Sequence, residues 1–320
     1  MKTLGLFCDR VSSRVRELNY REFSMDDAIL PLQIKYSSIN HKDFLMVSGA
    51  PHVSRQKSIV PGIDAVGTIE GINYATAGFD LGVQKNGTWA MHCAVPEEHL
   101  TRIPSGISLQ ACAAYGTAGL TAAETVRQIS LLNGSKKKQK ILVVGGVRGA
   151  SLLTVIFLLA LDYKVTLVTR NDSFVLCDAT DFETWLLSDF LIPRFANFMS
   201  TESQYDVAVD FLGSNSVVSC LNSLSEGGVL FSVGNMIGNQ VKSISMAPFF
   251  LRGIRLQGIN LELLDPSTKS YLWGFIFENE YKWSHWMSWS EIPFSGLKDH
   301  LSNADKVENT SVRTIIEMES

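Results

Sequence analysis

The chain is poor in organised sulfur. Its five cysteines, at 8, 93, 112, 177 and 220, are scattered, odd in number and never paired as Cys-x-x-Cys. That argues against a disulfide framework or a zinc knuckle. Long apolar runs are missing too: the strongest, Leu152 to Leu161, is about half of what a bilayer-spanning helix needs. The amino-terminal MKTLGLFCDR reaches charge too early to provide the apolar core of a signal peptide. Basic charge is not in excess either, since the formal net charge is -4, so no global field exists to hold nucleic acid or an anionic membrane. Lys136 to Lys138 with Lys140 form a concentrated basic patch, read as a solvated turn before a strand. Internal repeats and low-complexity segments are absent. These absences lead to the expectation of a cytoplasmic protein in a reducing compartment.

At 320 residues the chain exceeds the usual size of one hydrophobic core, so two domains are expected. Residues 1–115 mix short β-rich runs with turn signals, as in Ile59 to Ile69, where Pro61, Gly62 and Gly67 punctuate a strand pattern. From Lys140 the texture becomes an alternation of strand and helix: ILVVGG, a long apolar helix pattern from Ala150, KVTLVTR, YDVAVDFLG and GGVLFSVG. That alternation predicts a parallel sheet with crossover helices. Such sheets bind ligands at the carboxyl ends of their strands. Trp283, Trp286 and Trp289 recur every three residues and are read as one helix face packed on the core.

Between ILVV and a helix starting near Ser151 lies Gly145-Gly146-Val147-Arg148-Gly149-Ala150. A dinucleotide fold needs glycine in this turn for tightness, for close approach of backbone to pyrophosphate, and for helix-to-strand packing. Gly146, Val147, Arg148, Gly149 and Ala150 are therefore candidate cofactor residues. The end of the next strand offers Thr169, Arg170, Asn171 and Ser173, with Asp172 as its one acid. Hydroxyls and a cation there suit a 2′-phosphate, whereas an NAD site usually presents an acid. NADPH is the expected cofactor.

The segments SSINHKD (37–43) and VPGIDAVGTIE (60–70) resemble the medium-chain dehydrogenase/reductase superfamily, specifically its zinc-independent acryloyl-CoA reductase and quinone-oxidoreductase-like branch. The resemblance implies a Rossmann-type doubly wound parallel sheet inserted in a mostly β, GroES-like catalytic domain. The domains are then 1–115 (catalytic, first part), 116–247 (dinucleotide-binding) and 248–320 (catalytic, return segment), with APFFLRGIRLQGIN opening the return and SVRTIIEM as its last strand. In zinc-dependent relatives a cysteine and a histidine bind the metal where this chain has Asn40 and Ile63. Neither an amide nor an alkyl chain replaces a thiolate or imidazole at tetrahedral zinc, so no metal is expected. His92, Cys93 and His99 match a strand leading into a Val-Pro turn, with no third ligand nearby.

The activity implied is hydride transfer from NADPH to an activated C=C bond of an enoyl-thioester type, or to a quinone, followed by protonation. Relatives read Asn-Tyr-Lys-Asp where this chain reads Asn40-His41-Lys42-Asp43. Asn40 is a candidate to hydrogen-bond the nicotinamide ribose or substrate, and His41 a candidate acid or cofactor contact. Asp43 is read as fixing its loop through backbone hydrogen bonds. The family's usual turn is Gly-x-x-Gly-Gly-x-Gly; this chain puts Arg148 and Ser151 where glycines are usual. Arg148 either collides with the pyrophosphate or turns outward and pairs with a phosphate. Arg194 matches a second 2′-phosphate arginine of the family. Asn235, Phe250 and Asn309 fall at nicotinamide-side places. Residues 71–82 form a segment about a dozen residues shorter than in relatives. The expected partners are a small-molecule substrate and a second copy of the chain. The alternative is a non-catalytic member of the fold with weakened cofactor binding, serving in binding or assembly.

Overall fold

The computed structural model describes residues 1–12, 16–25, 29–50, 53, 56–132, 139–170, 182–191, 205–303 and 313–318. The chain divides into two units, 1–120 with 261–280 and 287–320, and 121–260 with 281–286.

In the first unit, β1 (Lys2–Arg10), β2 (Arg16–Ser24) and the short β4 (Ser58–Ile59) form an antiparallel sheet, ordered β2-β1-β4. A second sheet is ordered β15-β16-β3-β5-β6-β8, with β7 pairing β3. Its strands are β3 (Pro31–Ser38), β5 (Asp64–Ile69), β6 (Ile72–Ala77), β7 (His92–Ala94), β8 (Thr101–Arg102), β15 (Trp289–Pro293) and β16 (Arg313–Glu317). Leu6, Phe7 and Cys8 of β1 and the alternating Leu32 and Ile34 of β3 meet Ile59, Trp89 and Ile316 in one apolar cluster, each large side chain contributing about 1.5–3 kcal/mol by leaving water. Helix α1 (His41–Val47) anchors to this cluster through Met46, with Asp43 also buried and His41 exposed at its head. Helix α2 (Leu109–Leu132) is broken at Gly116, whose φ of 43° and ψ of -145° are not helical.

The second unit is built on one parallel sheet ordered β11-β10-β9-β12-β13-β14. Its elements in chain order are β9 (Lys140–Val144), α3 (Gly149–Ala160), β10 (Lys164–Thr169), β11 (Phe182–Leu186), α4 (Leu187–Phe190), β12 (Tyr205–Asp210), α5 (Asn215–Ser223), β13 (Leu224–Ser232), α6 (Ala247–Arg252) and β14 (Arg255–Gly258). The four predicted strands are all present. They are near-continuous apolar runs because helices cover both faces of a parallel sheet. Chain order reverses between β9 and β12, the switch point beside which such sheets take ligands. Helix α3 begins at Gly149, one turn's fraction earlier than the sequence reading placed it.

Two expectations are corrected here. The sheet-bearing unit runs past 247 to Asn260, because Arg255–Gly258 pairs with Val229–Ser232 as a sixth parallel strand. The tryptophans do not share a helix face: α7 (Pro266–Trp283) ends at Trp283, Trp286 lies in a 3-10 turn, and Trp289 opens β15. The remaining helix, α8 (Leu297–Ser302), packs Leu297 and Leu301 into the first unit's core.

Candidate active site

The SSINHKD segment leaves β3 and enters α1 over a buried polar cluster. Asp64, at the start of β5, is 2% exposed. Its Oδ1 accepts from Ser38 N–H (3.2 Å) and Ser38 Oγ–H (2.6 Å), and its Oδ2 from Asn40 Nδ2 (2.9 Å) and Thr117 N–H (2.8 Å). Arg313, the first residue of β16, is buried nearby. Its guanidinium donates to Ala114 O (3.0 Å), Ile39 O (3.1 Å), Ser38 Oγ (2.7 Å) and Asn40 Oδ1 (3.1 Å). Burial lowers the Arg313 pKa, and the charges of Asp64 and Asp43 oppose that fall. Four hydrogen bonds on each ion are what a buried charge requires.

Asp43 sits in the first turn of α1, accepting from Asn40 N–H (2.8 Å) and Gly62 N–H (3.2 Å). It ties the helix start to the VPG turn, the loop-fixing role expected of it. Burial, aided by the charge of Asp64, pushes its pKa from 3.8 up to about 7.

Asn40 is held inside this cluster. Both amide protons are committed, to Asp64 and to Ser38 Oγ (3.3 Å), and its oxygen accepts from Arg313. An amide so bonded has no proton left for a ribose or substrate. His41 is the opposite: exposed at the head of α1, with no hydrogen bond among the described residues. Partial burial of its ring lowers its pKa from 6.5, so imidazole is the prevailing form at neutral pH. Ile63, at the other zinc-ligand place, is buried to 2% exposure and is purely apolar. His92 bonds Thr3 Oγ1 at 3.2 Å, Cys93 is buried with its thiol pushed up to about 12, and the His99 ring stacks on Phe79 at 3.7 Å. These three serve packing.

The second unit carries the other candidates. In the turn from β9 to α3, a side chain on Gly145 would lie 2.7 Å from Ser151 Cβ, so Gly145 and Ser151 fill one another's space. Ser151 Oγ lies 2.5 Å from Gly146 O and 3.0 Å from Arg148 O, turned back into the loop. The serine thus braces the turn from within. The outer side is open: Gly149 has φ 55° and nothing within 4 Å of its missing Cβ, and the nearest atom to that of Gly146 is 3.9 Å away. No acid lies in the first turn of α3, and Arg148, its exposed N-cap, is cationic. The positive helix end and an open backbone surface fit a dinucleotide's pyrophosphate.

Val147 and Ala150 flank this turn, half-buried. Thr169 is buried at the end of β10 and Arg170 exposed just beyond. Asn171, Ser173, Arg194 and Asn309 lie outside the described residues. Asn235 is exposed in the loop after β13, which hydrogen-bonds the 211–214 loop through Met236 N–H to Phe211 O and Ile237 N–H to Leu212 O. Asp210 braces that neighbour, accepting from Leu212 N–H, Gly213 N–H and Ser216 Oγ–H. Phe250, on α6, is 72% exposed. Sequence reading missed Ser38, Asp64, Thr117, Asp210 and Arg313; the available signal was a charge inside an otherwise apolar strand at Asp64 and Arg313.

Fold and site together resemble those of the medium-chain dehydrogenase/reductase superfamily, in its quinone-oxidoreductase-like and acryloyl-CoA-reductase-like branch. No protein-family model matches it. It is 28% identical to Bacillus subtilis YhfP, named as a quinone oxidoreductase, over 83% of this chain and 82% of that one. It is 24% identical to acrylyl-CoA reductase AcuI of Ruegeria pomeroyi, over 78% of each. In structure it matches the yhdH oxidoreductase of Salmonella enterica in complex with NADP with a TM-score of 0.83, at 20% identity over all of both chains. YhfP with NAD bound matches at 0.85, with 23% identity over 99% of both.

Proposed function

We propose that the chain is an NADPH-dependent, zinc-independent reductase of an activated C=C bond, of the enoyl-thioester type, or of a quinone. The carrying observation is the β9–α3 turn, whose outer face is open backbone while Ser151 braces it from inside. NADPH, when bound, supplies the hydride. The turn's N–H groups and the amino end of α3 hold the pyrophosphate, with Arg148 as an added cation. Thr169 and Arg170 hold the 2′-phosphate, assisted by Asn171, Ser173 and Arg194. Asn235 and Phe250 contact the nicotinamide side. His41 presents an uncommitted ring N–H and serves as hydrogen-bond donor to the acceptor's oxygen as negative charge develops there. Asn40 holds the backbone from which His41 projects.

The non-catalytic alternative is not favoured, since relatives on this branch are named as reductases and the turn keeps its open face. The four described cysteines are free and buried, in keeping with work in the reducing cytosol. Among the described residues no helix is long and apolar enough to cross a membrane. A homodimer is proposed through β14, an edge strand exposed along its whole length and therefore open to pairing with a second copy.

The test is titration of the protein with NADPH and with NADH, followed by nicotinamide fluorescence, then a screen of enoyl thioesters and quinones. Micromolar NADPH binding, much weaker NADH binding and oxidation of NADPH by one acceptor class are expected. No binding of either nucleotide at millimolar concentration overturns the reading.

A further inference from the structure

We infer that Asp64 and Arg313 are the positioning pair of the proposed active site, holding the His41-bearing segment through Ser38 and Asn40. This rests on the reductase reading. The two ions meet through two neutral bridges rather than through a salt bridge: Ser38 Oγ accepts from Arg313 and donates to Asp64, and the Asn40 amide does the same with its oxygen and nitrogen. Each bridge therefore has a fixed polarity. Residues 38–40 are gripped at Ser38 N–H, Ser38 Oγ, Ile39 O and both ends of the Asn40 side chain. His41 follows immediately, and the Asp43–Asn40 hydrogen bond sets the first turn of its helix.

The same pair closes the break in α2. Ala114 C=O and Thr117 N–H, on either side of Gly116, lose their helical partners where the helix breaks. Arg313 takes the carbonyl, at the negative end of the first segment, and Asp64 takes the N–H, at the positive end of the second. A Cβ on Gly116 would lie 2.6 Å from Asp64 Oδ2, so the break is shaped to admit the carboxylate. Cohesion alone does not call for this arrangement, because apolar side chains of similar volume usually stabilise a core as well as buried ions do. What the ions add is direction: they fix β3, β5, β16, α1 and α2 to a single point.

The experiment compares wild type with Ser38→Ala, which removes one bridge and leaves both ions, and with Arg313→Lys, which keeps the charge but loses the fork. Readouts are kcat and KM with the acceptor found above, NADPH affinity, and the side-chain nitrogen resonances of His41. Arg313→Lys is expected to lower kcat about 10- to 100-fold, as a misplacement of about 1 Å does, with KM and NADPH affinity within about threefold. Ser38→Ala is expected to lower kcat about threefold to tenfold, and both variants to shift the His41 resonances. Unchanged kcat and unchanged His41 resonances in folded Ser38→Ala and Arg313→Lys overturn the inference. A wild type that neither binds NADPH nor reduces any acceptor overturns the reductase reading instead, and the His41 resonances of Ser38→Ala still decide whether the pair sets that segment.

Discussion

The Asp43 carboxyl makes stability depend on pH in an unusual direction. Its folded pKa of about 7 lies above its ordinary 3.8 because burial and the neighbouring Asp64 charge disfavour ionisation. The unfolded chain loses this proton near its ordinary pKa, while the folded chain keeps it until near neutrality. Between those values unfolding releases a proton, so stability falls as pH rises, by about 1.4 kcal/mol per pH unit. Integrated over the window the contribution is about 4 kcal/mol, of which about 3 kcal/mol is lost between pH 5 and pH 8. The groups around Asp43 are Asp64 on β5, Arg313 on β16, and His41 and Lys42 on its own helix. Lys42 is engaged by Glu262 at 2.9 Å. Asp43→Asn removes the titration while keeping the volume. Urea unfolding of both proteins at pH 5, 6, 7 and 8 should show wild type losing about 3 kcal/mol relative to Asp43→Asn across the series. Trp89, buried in the same unit and bonded to Ser38 O at 3.4 Å, contributes a reporter close to the cluster. Parallel curves, differing by a constant at every pH, would refute the argument.

Gly116→Ala should cost about 3 kcal/mol or more, because φ is 43° and the new methyl meets Asp64 Oδ2; an unchanged urea midpoint counts against the clamp geometry. His41→Phe keeps a ring and removes the donor, so kcat should fall about 100-fold with NADPH affinity unchanged; full activity would remove His41 from the chemistry. Arg148→Gly should weaken NADPH about tenfold, the loss of one exposed charge-assisted contact. Tighter binding by that variant would mean that the arginine obstructs the pyrophosphate.

The strands of the nucleotide unit are legible in the sequence because a strand buried on both faces must be an apolar run, and ILVV, VTLV, VAV and VLF are such runs bounded by glycine or charge. Arg255–Gly258 is not legible by that rule. It is an edge strand with all four residues exposed, so its pairing comes from β13 rather than from its own pattern. The tryptophan spacing misleads for a related reason, since a period of three is counted across a helix end, a 3-10 turn and a strand start. At the site, glycine chemistry marks the β9–α3 turn, and Asp43 is recognisable as a loop-fixing residue three positions after a helix cap. Arg313 and Asp64 are 249 positions apart, and nothing local to either says that two neutral side chains will join them. That fact exists only once β3, β5 and β16 lie side by side.

Asn40 shows most directly how the cluster assigns a role that residue type alone does not. Its nitrogen is 2.9 Å from Asp64 Oδ2 and its oxygen 3.1 Å from an Arg313 nitrogen, so Asn40→Asp replaces a donor to a carboxylate by a second acceptor. Two ionised carboxylates at that distance repel by about 6 kcal/mol even at an effective dielectric constant of 20. The pair therefore retains one proton, and holding it at pH 7 against an ordinary carboxyl pKa costs about 4 kcal/mol, reduced by the nearby guanidinium. At pH 4 the proton is nearly free of cost. Asn40→Asp should accordingly be close to wild type in stability at pH 4 and fall behind it by about 2 kcal/mol or more at pH 7. Asn40→Ala, which only removes both bridges, should show a deficit that does not grow in this way. If the Asn40→Asp deficit is the same at both pH values, the amide presents its oxygen rather than its nitrogen to Asp64, and the bridge runs with the opposite polarity.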